Sequence, residues 1–126
     1  MTEFRPVVIL DDSYEDRFFL KRNLRKVDQS LRFIEFKYAE DALNWAITFT
    51  DHDPLLIFVD LNLPRSTGFD FLNRLRELRA DLVANATIYA MSNSIDPEDR
   101  DRAESMDQVT KFFIKPIRND VLAAHL

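Results

Sequence analysis

The chain has no cysteine and a single glycine in its 126 residues. Without cysteine there are no disulfides and no thiolate zinc or redox sites. With Gly68 alone, neither of the common glycine-rich nucleotide loops can be built. A P-loop needs at least two glycines, and a dinucleotide fingerprint needs two or three. Any phosphate chemistry must therefore come from another arrangement. No apolar run approaches the roughly 18 residues of a membrane span, and Met1 to Pro6 carries no apolar leader segment. These features predict a soluble, cytoplasmic protein with no membrane partner. The net charge of -5 argues against a nucleic-acid partner. The one basic run (Lys21, Arg22, Arg25 and Lys26) lies in a helical pattern and reads as a solvated helix face. Only two histidines are present, His52 and His125. Neither falls near a cluster of other reactive groups, so Ser-His-Asp catalysis is not expected.

What is present is core material: 46% hydrophobic residues, including eleven phenylalanines. This suits one domain with one core. The run from Leu55 to Val59 leads into Asp60 and, four residues later, Pro64. A short apolar run bounded by turn signals reads as a strand buried on both faces. Val7 to Leu10 is a second such run, ending in Asp11-Asp12. Ser13 then caps a helix that reaches about Asp28, with Asp16 as a capping-box partner. Leu20, Leu24 and Val27 form its apolar stripe, widened by Phe18 and Phe19. Phe33 to Tyr38 alternates and predicts an edge strand. Glu40 to about Thr50 is predicted as a helix, with Ala42/Ala46 and Leu43/Ile47 four apart. A third helix follows Gly68, carrying Phe71, Leu72, Leu75 and Leu78. Thr87 to Ser92 and Lys111 to Lys115 predict the last two strands. Asp96-Pro97 starts a helix ending near Met106 whose only apolar residues are Ala103 and Met106. A short final helix runs from about Arg118. Strand and helix alternate five times, which predicts an α/β fold with a parallel sheet and helices on both faces.

In a parallel sheet all strand C-termini share one edge. Asp11-Asp12, Asp60, Ser92 and Lys115 would meet there. Alone, Asp60 reads equally as a turn cap or as a reactive group. With the others, three carboxylates form a pocket that cannot stay ionised at close range without a cation. Hard oxygen ligands favour Mg²⁺. A carboxylate can attack phosphorus to give an acyl phosphate, and Lys115 and Ser92 would complement the developing charge.

These residues, in this order, resemble a receiver domain of two-component response regulators over nearly the whole length. The resemblance implies a (βα)5 flavodoxin-like fold with strand order 2-1-3-4-5. It implies that Asp60 accepts a phosphoryl group, and that Asp12, Asp60 and the Asn62 carbonyl ligate Mg²⁺, with Asp11 acting through water. Ser92 and Lys115 would bind the phosphoryl oxygens, and Phe112 falls at the aromatic switch position. The domain would catalyse only its own phosphorylation and dephosphorylation. The implied donor is a histidine kinase or histidine phosphotransfer protein. A single domain over residues 1–126 with no output domain is expected, signalling to a downstream protein target; a homodimer is compatible with this. Asp60 to Arg65, with Ser92-Asn93-Ser94, is similar to small stand-alone receivers that partner phytochrome-type kinases.

Three departures from the family pattern stand out. Asn93 is larger than the usual residue and is expected to narrow access to Asp60. Met106 to Val109 replaces the usual Gly-Ala, so the preceding helix needs another stop. The last helix is short. Two other readings compete. A haloacid-dehalogenase-type phosphatase would want an acid where Asn62 stands. A phosphorylation-independent binding module would have lost an acid or the lysine, and none is lost.

Overall fold

The structure is a computed structural model and describes residues 5–50, 54–94 and 96–126. Five strands form one sheet: β1 (Arg5–Leu10), β2 (Leu31–Phe36), β3 (Leu55–Asp60), β4 (Ala86–Ser92) and β5 (Val109–Ile114). All neighbours pair parallel in the order β2-β1-β3-β4-β5. This is the expected topology. Every residue of β3 is buried, as its unbroken apolar run requires in a central strand covered on both faces.

The helices are α1 (Tyr14–Val27), α2 (Ala39–Thr48), α3 (Gly68–Leu78), α4 (Ala80–Ala84), α5 (Pro97–Ser105) and α6 (Asn119–His125). Alternate β3 residues divide between two cores. Leu55, Ile57 and Val59 pack with residues from α2, α3 and α5. Leu56 and Phe58 pack with residues from α1 and α6. The sheet is thus sandwiched, and its carboxyl edge stays open between the helix termini.

Several local expectations shift. The edge strand starts two residues earlier and ends at Phe36, because Leu31 and Arg32 continue the pairing with β1. Ile34 and Phe36 do share a core face, whereas Tyr38 is the N-cap of α2. Phe18 and Phe19 do not widen the buried stripe of α1. They are exposed and meet edge to face, with Arg22 over the Phe19 ring. Ile47 is also exposed, so α2 buries its alanines instead. His52 lies outside the described residues. His125 sits at the end of α6, and its ring packs edge-on against Phe113.

The short helix α4 was invisible to periodicity because five residues carry barely one turn. Its anchor is Arg79, whose φ/ψ of -143/64 separates it from α3. The Arg79 guanidinium donates to the carbonyls of Ala46, in the last turn of α2, and Phe49, its C-cap, at 2.7 and 2.8 Å. Two further N–H groups reach both oxygens of Asp81 at 2.9 Å. One side chain therefore ties together the ends of three helices. Arg79→Ala is expected to cost about 2 kcal/mol, since it removes two charge-assisted bonds to main-chain carbonyls at the end of α2. Asp81→Asn, which touches only an exposed pair, is expected to cost clearly less than Arg79→Ala. Urea denaturation of the two variants separates these values.

Helix α5 stops without a left-handed residue. Met106 turns to φ/ψ -79/124, its N–H donates to Ala103, and Val109 N–H donates back to Met106. Ala103 is the only residue of α5 that is buried. Arg102 adds a contact by lying 4.0 Å over the Phe69 ring of α3.

Candidate functional site

The sheet delivers the polar residues to one place. Asp60 ends β3, Ser92 ends β4, and Asp11 and Lys115 each follow directly on β1 and β5. The last backbone pairings hold these ends level: Leu61 N–H donates to Met91 at 2.9 Å, and Lys115 N–H to Ser92 at 2.9 Å. The Lys115–Pro116 peptide is cis. Gly68, the lone glycine, abuts the same spot. A Cβ there would lie 2.5 Å from the Asp60 carbonyl oxygen.

The Lys115 ammonium donates to Asp60 Oδ2 at 2.9 Å, to Asp11 Oδ2 at 2.9 Å and to Asp16 Oδ2 at 2.8 Å. Its side chain is only 7% exposed. Asp11 and Asp60 are buried, and Asp12 is exposed at the mouth. Carboxylate oxygens of Asp11, Asp12 and Asp60 lie within 4.8 Å of one another. An octahedral Mg²⁺ with ligands at about 2.1 Å sets its opposed oxygens about 4.2 Å apart. The three carboxylates are gathered within reach of one such ion, and the all-oxygen donor set fits it.

Asp60 is held from both sides. Its Oδ1 accepts from Asn62 N–H at 2.9 Å, leaving Oδ2 toward the ammonium. Burial pushes its carboxyl up from the ordinary 3.8 to about 6, against the lowering pull of the Asn62 N–H and Lys115. The rise marks a carboxylate carried into a dry site. For Lys115, burial opposes the charge, but the bonds to Asp11, Asp16 and Asp60 outweigh it and hold the ammonium above its ordinary range.

Ser92 is fully buried. Its Oγ accepts from Asn62 Nδ2 at 2.9 Å and from Ser94 N–H at 3.0 Å. A hydroxyl has two lone pairs and one proton, so both lone pairs are engaged and the proton remains to donate. Asn93, beside it, is exposed. Phe112 pairs with Ala90 in the sheet and is buried in the α2/α3/α5 core.

The residues singled out from the sequence thus meet, with the exception of Phe112, which lies behind the site in the core. Asp16 was read only as a helix-cap partner. It does accept no cap bond of that kind; instead its backbone N–H donates to Ser13 Oγ at 3.2 Å, and its carboxylate turns to Lys115. The signal that could have found it is its position. It lies in the first turn of α1, immediately after the end of β1, which places it beside the strand ends.

The family model for the response regulator receiver domain matches residues 7–126. The chain belongs to the receiver-domain family. This receiver is 28% identical to the two-component response regulator ARR5 of Arabidopsis thaliana over 119 residues, 89% of this chain and 63% of that protein. It therefore spans under two thirds of that relative's length. Among solved structures, a response regulator receiver protein from Dyadobacter fermentans superposes with a TM-score of 0.85 at 24% identity, covering 97% of this chain and 94% of the other. The bacteriophytochrome response regulator RtBRR superposes at 0.75 with 21% identity, over 96% and 75% of the two chains. TrrA of Thermotoga maritima, solved in complex with Mg²⁺ and BeF, superposes at 0.74 with 16% identity, over 97% and 96%. The receiver family is one of signalling phosphoacceptors, not classical enzymes. Among the described residues no helix is long and apolar enough to cross a membrane.

Proposed function

We propose that this receiver accepts a phosphoryl group on Asp60 from a histidine kinase or histidine phosphotransfer protein and signals through altered protein contacts. The observation that carries the reading is the Lys115 ammonium, 2.9 Å from Asp60 Oδ2, beside a carboxylate cluster of cation-binding size. The likeness to RtBRR favours a phytochrome-type kinase as the donor.

Mg²⁺ would be held by Asp11, Asp12 and Asp60, with the Asn62 carbonyl, and when bound it supplies neutralising charge for the phosphoryl oxygens. The chain's own groups do the rest. An Asp60 carboxylate oxygen forms a bond to phosphorus while the bond from phosphorus to the donor atom breaks, and the donor leaves with that electron pair. Asn62 N–H fixes one Asp60 oxygen, which orients the carboxylate. Lys115 shifts a donor from Asp60 to the transferred group, and Ser92 supplies its free proton. Both act where charge spreads over the equatorial oxygens.

Signalling would start at Ser92. Its proton is drawn toward the phosphoryl group, which loosens the bonds from Asn62 and Ser94. Phe112 lies two residues along β5 from the strand partner of Ser92. Space vacated by Ser92 lets that ring repack, and α5, which buries one side chain, follows at low cost. Intact-mass measurement after incubation with Mg²⁺ and acetyl phosphate tests the reading. The wild type is expected to gain one phosphoryl group and Asp60→Asn none. An unmodified wild type with no structural response to beryllofluoride would point instead to a phosphorylation-independent binding module.

A further inference from the structure

We propose that Asp16 is a positioning residue for phosphoryl transfer, holding the Lys115 ammonium in place while its other partners change. The proposal rests on Asp60 being the phosphoacceptor. An ammonium has three N–H donors. Here each has a carboxylate: Asp11, Asp60 and Asp16. The first two belong to the group whose oxygens converge within 4.8 Å, and Asp16 does not. A bound cation draws on Asp11 and Asp60. Phosphorylation then converts Asp60 to an acyl phosphate and moves its charge outward onto the phosphoryl oxygens. Asp16 alone keeps both its charge and its freedom from the metal.

Its own position is fixed by the helix. Asp16 lies in the first turn of α1, where Ser13 Oγ accepts from its backbone N–H. The same helix is tied to the loop after Lys115 by Asn23, whose Nδ2 donates to the Ile117 carbonyl at 2.9 Å. Released by Asp11 and Asp60 together, a long flexible side chain would have to be recaptured by the incoming phosphoryl group. With one donor already anchored, the ammonium needs only to pivot.

The test is loading by acetyl phosphate at saturating Mg²⁺. An Asp60 oxygen bonds to phosphorus as the phosphorus–oxygen bond to acetate breaks, and acetate leaves with the electron pair. Asp16→Ala removes the anchor, whereas Asp16→Asn keeps an acceptor oxygen without the charge. Asp16→Ala is expected to load about tenfold more slowly, the equivalent of one charge-assisted hydrogen bond. Asp16→Asn is expected to load close to wild type. A second readout needs no phosphate: in metal-free protein the ¹⁵N-edited signal of the Lys115 ammonium protons should be sharp in wild type and Asp16→Asn and broadened in Asp16→Ala. Equal loading by wild type and Asp16→Ala overturns the proposal. So does an Asp16→Asn variant as slow as Asp16→Ala, which would leave only a charge effect. A wild type that takes no phosphate fails the phosphoacceptor reading instead. The ammonium signal then decides the anchoring by itself: indifference to Asp16→Ala overturns it.

Discussion

Lys115→Met is expected to destabilise the metal-free receiver by about 3 kcal/mol, and Mg²⁺ is expected to restore much of that loss. Asp11 and Asp60 are 1% and 3% exposed. Their charges stay buried because one ammonium reaches both at 2.9 Å. Removing it leaves like charges facing each other in a dry site, which is costlier than losing the attraction alone. The ammonium and a divalent cation draw on the same carboxylates, those of Asp11 and Asp60. Without the lysine, the cation meets a stronger field and binds more tightly, so the variant gains more from Mg²⁺ than wild type does. Urea denaturation in EDTA and in excess Mg²⁺ measures both gaps. A gap below about 1 kcal/mol in EDTA would mean that the carboxylates are satisfied by water. A gap of equal size in both buffers would mean that lysine and cation do not share their ligands.

The strand ends were readable because a parallel sheet leaves little freedom. Once β1, β3, β4 and β5 are identified by their apolar runs, their last residues must lie side by side, and the chemistry of those residues follows from type. The resemblance of the ordered motifs to receivers then gave the strand order. What could not be read falls into two kinds. Some signals are too short: α4 has five residues, and the sequence offers no period over so small a span. Others depend on which way a side chain turns. Asp16 has the pattern of a cap partner, and nothing in the pattern says that its carboxylate bends toward Lys115. Phe18 and Phe19 are apolar and adjacent to Leu20 in a helix, yet a helix only 14 residues long buries one narrow stripe, and Leu20 and Leu24 already fill it. Ile47 is exposed for the same reason, with Ala42 and Ala46 making the close approach to the sheet.

The lone glycine was read from the sequence as an exclusion and matters more as a contact. Gly68→Ala is expected to cost about 3 kcal/mol and to slow phosphoryl loading of Asp60 sharply. Its added carbon would lie 2.5 Å from the Asp60 carbonyl oxygen, 2.8 Å from Leu61 Cα and 3.1 Å from the Asp60 carbonyl carbon. All three are backbone atoms of the strand end that carries Asp60, so no side chain can rotate away. Gly68 N–H also donates to the Leu61 carbonyl at 3.0 Å, which pins α3 to that approach. The alanine forces either α3 outward, exposing Phe69, Phe71 and Leu72, or the Asp60 strand end sideways, away from Lys115. Thr67→Ala provides the comparison. It removes the N-cap bond to Asp70 N–H and leaves the close approach intact, so it should cost about 1 kcal/mol and load normally. If Gly68→Ala costs no more than Thr67→Ala and loads at the wild-type rate, the backbone of the site yields without consequence. Three crowded backbone atoms beside a carboxylate held 2.9 Å from Lys115 argue that it does not.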